Sequence, residues 1–395
     1  MKKFIEQNFK YKTVLVRVDF NVPLNEKLEI TDDSRIISCI PTIKKLLKDK
    51  ARVIIMSHLG RPKGIEEKFS LKRIIPHLEK ILKKNIYFSD NCIGEKSKKM
   101  ALELNYGEVL LLENLRFHIE EKNGDIMFAK QLSELADIYV NDAFGTSHRN
   151  HASTSVITQF FANNKYVGLL MKSEIDNLTK ALDNPKRPFT AIIGGSKVSS
   201  KIDVIISLLD KVDNLIIGGG MAYTFSKSMG GNIGDSLVED DKISSAKEIM
   251  ILAKNKGVNV FLPTDSINAD SFNNKSNISK TKINDIPNGF MGLDIGEDSI
   301  VIFSEIIEKS KTIIWNGPMG VFEMTNFQNG TVKIGNAICR STKKGAFSLV
   351  GGGDSVAAIK KFSMVRDISY ISTGGGAMLE YLEGKDLPGI KAIYY

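Results

Sequence analysis

The sequence predicts an α/β protein that is built on parallel sheets and divided into two domains. Short apolar runs typical of buried strands alternate with helical patterns along the chain, which favours parallel sheets covered by helices. With 395 residues the chain exceeds what one small core usually holds, so two domains are expected. In open α/β sheets, ligands bind beyond the carboxyl ends of the strands. The residues that follow each strand are therefore the first candidates for a site.

In the first half, four strand-like runs are each followed at once by polar residues. These runs are Val14–Val18, Val53–Met56, Val109–Leu112 and Ile138–Val140. Arg61 and Arg116 lie in the polar turns, and Arg35 and Arg149 lie in or near them. A single arginine is more often part of a surface ion pair, but three of the four closely follow strand ends, which favours a common anion pocket. We interpret His58, beside Arg61, as an anion contact, although a lone histidine is more often a structural donor.

In the second half, glycine takes the place of arginine after the strands. The runs Ala191–Ile193, Leu215–Ile217, Ala346–Val350 and Tyr370–Thr373 lead into Gly194-Gly195, Gly218–Gly220, Gly351–Gly353 and Gly374–Gly376. A strand, a glycine turn and a helix N-terminus make a natural anion site, because the first helical N–H groups have no partner of their own. Any one turn alone is equally typical of a tight strand–helix connection, but four together are less expected by chance.

Charged side chains accompany these turns. Asp354 could bind the Mg²⁺ of a phosphate ligand. Lys197 and Lys201 are predicted at the start of a helix, four residues apart and on one side of it. The chain has neither a clean P-loop pattern nor a clean dinucleotide fingerprint.

A further polar segment follows the apolar run Ile313-Ile314. Asn316 could orient a phosphate and Glu323 could accept ribose hydroxyls. The single tryptophan, Trp315, fits a core position and a ligand contact equally well.

A helix is predicted between Gly168 and Leu182, where Ser173 to Asp176 resembles a capping box. A connector between domains and an ordinary helix inside one domain fit this pattern equally well. The apolar tail from Leu387 to Tyr395 is expected to pack against the protein.

The formal net charge of +8 fits an anionic ligand, but it fits scattered surface lysines better, and no basic arm suggests nucleic acid as a partner. The three cysteines have no disulfide or zinc spacing, which favours a reducing compartment. The first residues lack the apolar run of a signal peptide, and no stretch is long and apolar enough to span a membrane. A cytoplasmic protein is therefore expected.

Several of these motifs together resemble the phosphoglycerate kinase family, in its compact bacterial form, in order from about Val14 to Gly389. The motifs are Arg17–Pro23, Ser57–Pro62, Leu112–Phe117, Asn141–Thr146, Gly194–Lys197, Trp315–Pro318, Gly351–Asp354 and Ser372–Gly376. The resemblance implies two doubly wound, Rossmann-like domains joined by a hinge helix. The expected domains are residues 1–170 and 171–384, with the connecting helix near 172–182 and a tail, 385–395, that returns to the first domain.

The resemblance also implies the reaction and its ligands. A phosphoryl group would pass between 1,3-bisphosphoglycerate and MgADP, giving 3-phosphoglycerate and MgATP, in an enzyme expected to be a monomer. By similarity, phosphoglycerate would be held by Asp19, Asn21, Arg35, His58, Leu59, Gly60, Arg61, Arg116 and Arg149. The nucleotide would be held by Gly195, Lys197, Lys201, Gly292, Asn316, Glu323, Gly352, Gly353, Asp354 and Ser355, with Asp354 meeting the Mg²⁺. Arg35, Lys197 and the helix N-termini at Gly353 and Gly376 would surround the transferring group.

The residues agree with this chemistry. The reacting oxygen of phosphoglycerate belongs to a carboxylate that is already ionised at neutral pH, so no general base is expected. Catalysis would then consist of positioning, neutralisation of charge and domain closure that excludes water. Two alternatives stay open at this point: a nicotinamide dehydrogenase, and a basic binding protein without enzymatic activity that attaches to RNA.

Overall fold

The protein is described here by a computed structural model that covers residues 4–394. The chain divides into two compact units, of which the first runs up to Ile175 and takes in the chain again from Asp386. The second unit runs from Asp176 to Lys385. Residues 1–3 and 395, which the expected first domain and tail include, lie outside the described residues.

The first unit is built on a parallel sheet of six strands in the order β3-β4-β2-β1-β5-β6. The strands are β1 (Thr13–Arg17), β2 (Arg52–Met56), β3 (Ile86–Ser89), β4 (Val109–Leu112), β5 (Ile138–Asn141) and β6 (Lys165–Val167). The helices are α1 (Ser34–Lys48), α2 (Ile75–Leu82), α3 (Glu95–Glu103), α4 (Ile119–Asn123) and α5 (Ile126–Ser133), followed by α6 (Leu169–Leu182), which contains the boundary between the units. The central strands are apolar on both faces because helices cover both faces.

The strand order of this sheet marks its binding edge. The chain passes from β1 to β2 on one side and from β5 to β6 on the other, while β1 and β5 are neighbours in the sheet. Such a reversal is a topological switch point, where open α/β sheets place their ligands. The residues after β1 and β5 therefore flank the crevice of the first unit.

The second unit repeats this plan with a parallel sheet in the order β10-β8-β7-β15-β16-β17. Its parallel strands are β7 (Phe189–Ile193), β8 (Asn214–Ile217), β10 (Asn259–Phe261), β15 (Thr312–Asn316), β16 (Phe347–Val350) and β17 (Tyr370–Ile371). Its helices are α7 (Ile202–Leu208), α8 (Met221–Ser228), α9 (Ile243–Asn255), α10 (Glu297–Lys309), α11 (Asn329–Lys343), α12 (Gly353–Lys361) and α13 (Gly376–Leu382). Here β7 and β15 flank the switch point, because their connections run to opposite sides.

Two small sheets complete the second unit. The strands β11 (Asp265–Ala269), β12 (Ile278–Lys282) and β14 (Met291–Ile295) form an antiparallel sheet in the order β12-β11-β14. The short strands β9 (Asn232–Ile233) and β13 (Asp285–Ile286) pair in parallel. None of these five strands is predicted from the sequence.

The chain ends with α14 (Pro388–Tyr394), which belongs to the first unit. The amide of Gly389 donates to the carbonyl of Ser147, and Lys165 donates to the carbonyl of Ala392. Short 3₁₀ turns occur at Phe4–Glu6, Glu67–Phe69, Leu71–Ile74, Leu115–Phe117, Phe144–Thr146, Val156–Phe160, Asp240–Lys242, Thr325–Phe327 and Val365–Asp367. Within residues 4–394, no helix is long and apolar enough to cross a membrane.

The α/β class and the predicted strand runs are confirmed, with boundaries shifted by up to two residues. Two local predictions are wrong. The helix predicted between Gly168 and Leu182 is confirmed as Leu169–Leu182, but Ser173 lies inside it, so the interpretation of Ser173 to Asp176 as a capping box is wrong. The helix predicted to carry Lys197 and Lys201 begins only at Ile202, so both lysines lie in the preceding loop and the argument from helical spacing fails.

Candidate functional site

In the first unit, the loops after β1 and β2 are tied together at the switch point. Asn21 accepts a hydrogen bond from the Gly60 amide through its side-chain oxygen at 2.8 Å. Asp19 accepts one from Arg35 at 2.9 Å, and Arg35 lies in the first turn of α1. Asp19 is nearly buried, whereas about a third of the Arg35 side chain is exposed. The pair holds the Arg35 guanidinium at the loop and leaves other N–H groups free to bind an anion.

Gly60 is the structural centre of these loops. Its φ of +64° is in the left-handed region, and a Cβ at this position would collide with the ring of Phe69. Its carbonyl accepts a hydrogen bond from Arg116 at 2.8 Å, which brings the loop after β4 to the same place. Leu59 is buried in the core, and its amide and carbonyl both bond to Asn114. The backbone amide and carbonyl of Leu59 therefore hold the loop together.

The remaining arginines differ in how far they are already engaged. Arg61 and Arg149 are exposed, and their side chains have no hydrogen bond or ion pair within residues 4–394. The Nε of Arg116 is buried without a partner in the described chain. Burial, and secondarily Arg17, lower the pKa of Arg116 to about 10, so this side chain is still a cation at neutral pH. These unsatisfied donors make the carboxyl edge of the first sheet a surface for an anion.

Arg17, which was not among the predicted site residues, lies beneath this surface. It is the last residue of β1 and is completely buried. One of its Nη atoms lies 3.1 Å from Nδ1 of His58. A buried role for this side chain could not be predicted from a sequence pattern, because arginine is rarely found fully buried. Two signals were available: Arg17 is a charged residue at the end of the apolar run that begins at Val14, and it opens the motif Arg17–Pro23.

Three histidines of this unit, His58, His148 and His151, are held neutral. Burial and the charge of Arg17 lower the pKa of His58 well below its ordinary value. The pKa of His148 falls to about 4 and that of His151 to about 3, in both cases mainly through burial. At physiological pH these rings offer hydrogen bonds rather than positive charge, so the arginines supply the charge of the site.

In the second unit, the glycine turns after β7, β8 and β15 pack backbone against backbone. A Cβ on Gly219 would lie 2.6–2.8 Å from backbone atoms of Gly195 and Pro318, and one on Gly194 would collide with the carbonyls of Gly317 and Pro318. Gly194 donates to the carbonyl of Asn316 at 2.9 Å, and Gly195 to that of Pro318 at 3.1 Å. Glycine is required here so that the loops can approach each other.

This packing corrects one expectation about the glycine turns. The amides of Gly194, Gly195, Gly218 and Gly219 all donate to backbone carbonyls, so they are not free donors for a phosphate. Gly195 still has an open side, since a Cβ there would meet nothing within 4 Å. The N-terminus of α12 differs, because its first N–H groups have no carbonyl within the helix to donate to. The amide donors for a phosphate are therefore expected at Gly352, Gly353 and the residues that follow.

Around α12 the polar side chains form two groups. In the buried group, Lys201 contacts the side-chain oxygen of Asn316, and Asn316 donates to the carbonyl of Gly351 at 2.7 Å. Burial lowers the pKa of Lys201, and Asp354 opposes this shift. Ser355 also belongs to this group, since its Oγ accepts the Gly317 amide at 2.5 Å. Both polar atoms of Asn316 are thus engaged within the protein.

The second group is exposed. Lys197 and Asp354 are solvent-exposed, and neither side chain has a hydrogen bond or ion pair within residues 4–394. Asp354 lies in the first turn of α12, beside the free amides. Gly353 and Gly376 are exposed at the starts of α12 and α13. An exposed carboxylate next to free amides suits the Mg²⁺ and phosphates of a nucleotide.

Three further predicted residues lie in other parts of the second unit. Gly292, in β14, is buried and packs so closely on the hydroxyl of Tyr223 that any side chain would collide with it. Glu323 is exposed, and its backbone carbonyl accepts a hydrogen bond from Lys361. Trp315 is a core residue whose indole N–H donates to the carbonyl of Gly317 at 2.8 Å, which decides between its two interpretations.

The two units have the features of an α/β protein for anionic ligands, in which one unit presents arginines and the other a glycine-lined helix N-terminus with a lysine and a carboxylate. Comparison with known proteins narrows this class. Residues 4–385 match the family model described as phosphoglycerate kinase. Phosphoglycerate kinase from Porphyromonas gingivalis is 50% identical, over 98% of this chain and 99% of that protein. Cytosolic phosphoglycerate kinase 3 of Arabidopsis thaliana is 52% identical, over 98% and 96%.

Solved structures agree. Phosphoglycerate kinase from Coxiella burnetii superposes with a TM-score of 0.89 at 40% identity, covering 98% of this chain and 97% of that one. The enzyme from Pyrococcus horikoshii OT3 gives a TM-score of 0.86 at 32% identity, covering 100% and 98%. The chain belongs to the phosphoglycerate kinase family, the phosphotransferases of class EC 2.7.2.3 that act in glycolysis. This assignment decides against a nicotinamide dehydrogenase and against a protein without enzymatic activity.

Proposed function

We propose that the arginine-bearing edge of the first unit binds phosphoglycerate and that the α12 end of the second unit binds the magnesium nucleotide. The observation that carries this proposal is the division of free charged groups between the units. Arg61 and Arg149 in the first unit, and Lys197 and Asp354 in the second, have no side-chain hydrogen bond or ion pair within residues 4–394. Exposed cations and a carboxylate left without partners are typical of a site whose ligand is a polyanion with its metal.

On the first unit, Arg35, Arg61, Arg116 and Arg149 would bind the phosphate and carboxylate oxygens of phosphoglycerate. Their forked guanidinium groups match such oxygens in pairs. Asp19, Asn21 and Gly60 would act through the loops, because Asp19 fixes Arg35 and Asn21 holds the Gly60 amide. Leu59 supports the same loop through Asn114. His58 would add one neutral hydrogen bond.

On the second unit, the amides at the start of α12 would bind the nucleotide phosphates, with Lys197 and Lys201 as cations beside them. Asp354 would be a ligand of the Mg²⁺ that arrives with ADP or ATP, and that ion would neutralise phosphate charge when bound. Asn316 would keep Lys201 in place. Gly195 would leave room for the nucleotide, Gly292 would contact it through its backbone, and Glu323 would accept its ribose hydroxyls.

The reaction would pass a phosphoryl group between 1,3-bisphosphoglycerate and MgADP without a general base. The oxygen that attacks in the reverse direction belongs to the carboxylate of 3-phosphoglycerate, which is ionised at neutral pH and needs no proton removed. Arg35, Lys197 and the helix N-termini at Gly353 and Gly376 would surround the transferring group and neutralise the charge on its oxygens. Because the two ligands would bind to different units, closure of the domains about a hinge helix would bring them together.

Other finer predictions belong to the same proposal. The enzyme would act as a monomer in the cytoplasm, with no nucleic acid required. The cysteines Cys39, Cys92 and Cys339 are buried and unpaired, which supports a reducing compartment. We also propose that the domains expected from the resemblance are the two ligand-binding domains, and that the tail returns to the first of them.

Kinetics of a Lys197→Ala variant test the assignment. We expect kcat to fall by roughly 10²- to 10³-fold, because Lys197 would act on charge that develops in the transition state. The KM values for both substrates should change by no more than about threefold. A coupled assay of ATP formation from ADP and 1,3-bisphosphoglycerate measures both.

The control is Lys309→Ala, which removes another exposed lysine of the second unit, on α10. Its kcat should equal that of the wild-type enzyme. If Lys197→Ala raised the KM for a substrate as much as it lowered kcat, the lysine would be a binding group and its proposed role would be wrong.

A further inference from the structure

The buried guanidinium of Arg17 determines which nitrogen of His58 carries the proton. The Nη2 atom of Arg17 lies 3.1 Å from Nδ1 of His58, and both side chains are buried. A guanidinium has N–H donors and no acceptor, so Nδ1 must accept this hydrogen bond. In a neutral imidazole, an accepting Nδ1 leaves the proton on Nε2.

Arg17 is itself fixed by a chain of buried groups. Its Nε donates to Oγ of Ser153 at 2.9 Å, and another of its N–H groups donates to the carbonyl of Val18. The Ser153 hydroxyl and amide donate to the two carboxylate oxygens of Glu121, at 2.7 and 2.9 Å. Glu121 and Ser153 have no exposed surface. The guanidinium therefore has its negative counterpart close by, and its hydrogen bonds to Ser153 and Val18 fix its orientation.

The charges around His58 favour the same neutral state. Beyond burial, Arg17, Arg116 and Arg35 all act against protonation of the ring. The opposing charge is the carboxylate of Asp19, whose Oδ1 lies 3.9 Å from Nδ1, and this carboxylate is also paired with Arg35. Within residues 4–394, Nε2 of His58 takes part in no hydrogen bond. The second nitrogen is thus left for a ligand.

We propose that Arg17 is a positioning residue that fixes His58 as the Nε2–H tautomer, so that the ring offers one neutral donor to an oxygen of phosphoglycerate. This inference rests on the proposed phosphoglycerate site of the first unit. An anion accepts hydrogen bonds but cannot donate them, so the opposite tautomer would direct a lone pair at the ligand. Arg17 would thereby act on the substrate through His58 without touching it.

Nitrogen-15 NMR of histidine-labelled full-length enzyme tests the tautomer in the absence of any ligand. The chain has five histidines, and the signal that disappears in His58→Gln identifies His58. We expect Nδ1 to resonate as an unprotonated nitrogen and Nε2 as a protonated one across neutral pH. A protonated Nδ1 would overturn the inference.

Variants of Arg17 test whether this residue fixes the tautomer of His58. Arg17→Lys keeps a positive donor and should preserve the tautomer, whereas Arg17→Met should yield a mixture of tautomers and a ring that titrates closer to the ordinary pKa of histidine. If Arg17→Met does not fold, Ser153→Ala removes the acceptor that orients Nε of Arg17 and tests the same point with a smaller change. A tautomer unchanged in the folded variants would overturn the role of Arg17.

Two variants of His58 connect the tautomer to binding. The amide nitrogen of Gln occupies the position of Nε2, and that of Asn the position of Nδ1. We expect His58→Gln to bind 3-phosphoglycerate within about threefold of the wild-type affinity, and His58→Asn to bind roughly 10- to 100-fold more weakly. Calorimetry with 3-phosphoglycerate measures this, and the affinity for ADP serves as a control for the integrity of the second unit.

The outcomes separate the two proposals. If wild-type enzyme fails to bind 3-phosphoglycerate at the first unit, the proposed function fails while the NMR result for His58 still stands. If wild-type enzyme binds and both His58 variants bind equally well, the phosphoglycerate site survives and the role of His58 is overturned.

Discussion

Two kinds of arginine stand at the carboxyl edge of the first sheet. Arg61 and Arg149 are exposed and have no side-chain partner in the described chain, whereas Arg17 is buried among hydrogen bonds. The exposed arginines could be predicted, because they follow strand ends where ligands bind. Arg17 could not, because its role depends on Ser153 and Glu121, which are more than a hundred residues away along the chain. Sequence patterns do not reveal such distant pairings.

Asp142 is a buried carboxyl group at the end of β5 whose protonation should affect stability. One of its oxygens accepts the amide of Met171 at 3.1 Å, and the other is buried without a partner in the described chain. Burial raises the pKa of Asp142 from 3.8 to about 6. The folded protein therefore holds this proton more tightly than the unfolded chain does, and the associated stability is present below about pH 4 and is lost as pH rises through 6.

We predict that Asp142→Asn removes this pH dependence. Asparagine has a similar shape and cannot ionise, so the variant should gain stability relative to wild type as pH rises from 4 to 7. The gain should reach roughly 2–3 kcal/mol, the free energy of a shift of about two pKa units. Urea unfolding followed by circular dichroism at several pH values measures it.

Asp386→Asn is the control for this measurement. Asp386 belongs to the same unit but is exposed and paired with Lys391. It should show little difference from wild type over the same range. A constant difference between Asp142→Asn and wild type from pH 4 to 7 would contradict the buried, protonated state of Asp142.

At the scale of elements, the parallel strands were the predictable part of the fold. Runs such as Val109–Leu112 are apolar throughout because both faces are covered, and this signal is strong in the sequence. The antiparallel strands β11 and β12 resemble loops in the sequence because they carry Ser, Asn, Thr and Lys, although most of β11 is buried. The start of α7 was misplaced because a loop follows Gly194-Gly195. Tertiary packing determines where the helix begins, and the local sequence does not show it.

The sequence is also insufficient to predict which glycine turns of the candidate site bind a ligand. The sequence identifies the turns but not the destination of their amides, which depends on which loops meet. Gly194 and Gly195 donate to the loop after β15, far along the chain, while the start of α12 keeps its first amides free. From sequence alone, the turns that bind a ligand and the turns that bind each other look alike.

This packing predicts the effect of Gly219→Ala. A Cβ there would come within 2.6–2.8 Å of the backbone of Gly195 and Pro318, and the φ of +66° already disfavours alanine. We expect a loss of roughly 3 kcal/mol or more in the unfolding free energy of the second unit, because the loops must shift. The only tryptophan of the sequence, Trp315, lies in this unit, so its fluorescence during urea unfolding measures the loss.

Gly289→Ala is the matched control. Gly289 has a comparable φ of +81°, but a Cβ there would meet nothing within 4 Å. It should lose about 1–2 kcal/mol, from backbone strain alone. Equal losses in the two variants would show that the loops do not depend on close backbone contact at Gly219.

At the scale of the whole molecule, the proposal assigns one ligand to each unit, so binding should separate by variant. Arg61→Ala should weaken 3-phosphoglycerate binding by roughly 10- to 100-fold, because a charge-assisted hydrogen bond is lost, and leave MgADP binding unchanged. Asp354→Asn should weaken MgADP binding and leave 3-phosphoglycerate binding unchanged. Isothermal calorimetry with each ligand alone measures both affinities.

The control for Arg61→Ala is Arg52→Ala, at the opposite end of β2. Arg52 begins β2, while Arg61 follows its other end, and the Arg52 guanidinium stacks on the ring of Tyr106 at 4.5 Å. Arg52→Ala should leave 3-phosphoglycerate affinity unaltered. Weakening by Arg52→Ala as large as that by Arg61→Ala would point to a general loss of positive charge instead of a defined site.

Domain closure is the last step that the proposal requires, since direct transfer brings the reacting oxygen and phosphorus within about 3–3.5 Å of each other. We propose that closure of the two units on both ligands brings them to that distance. We therefore expect 3-phosphoglycerate and MgADP added together to reduce the radius of gyration in small-angle X-ray scattering by more than the sum of their separate effects. Arg61→Ala should show this contraction only at concentrations of 3-phosphoglycerate raised in proportion to its weaker binding. If saturating amounts of both ligands leave the wild-type radius unchanged, the transfer cannot proceed by ligand-induced closure.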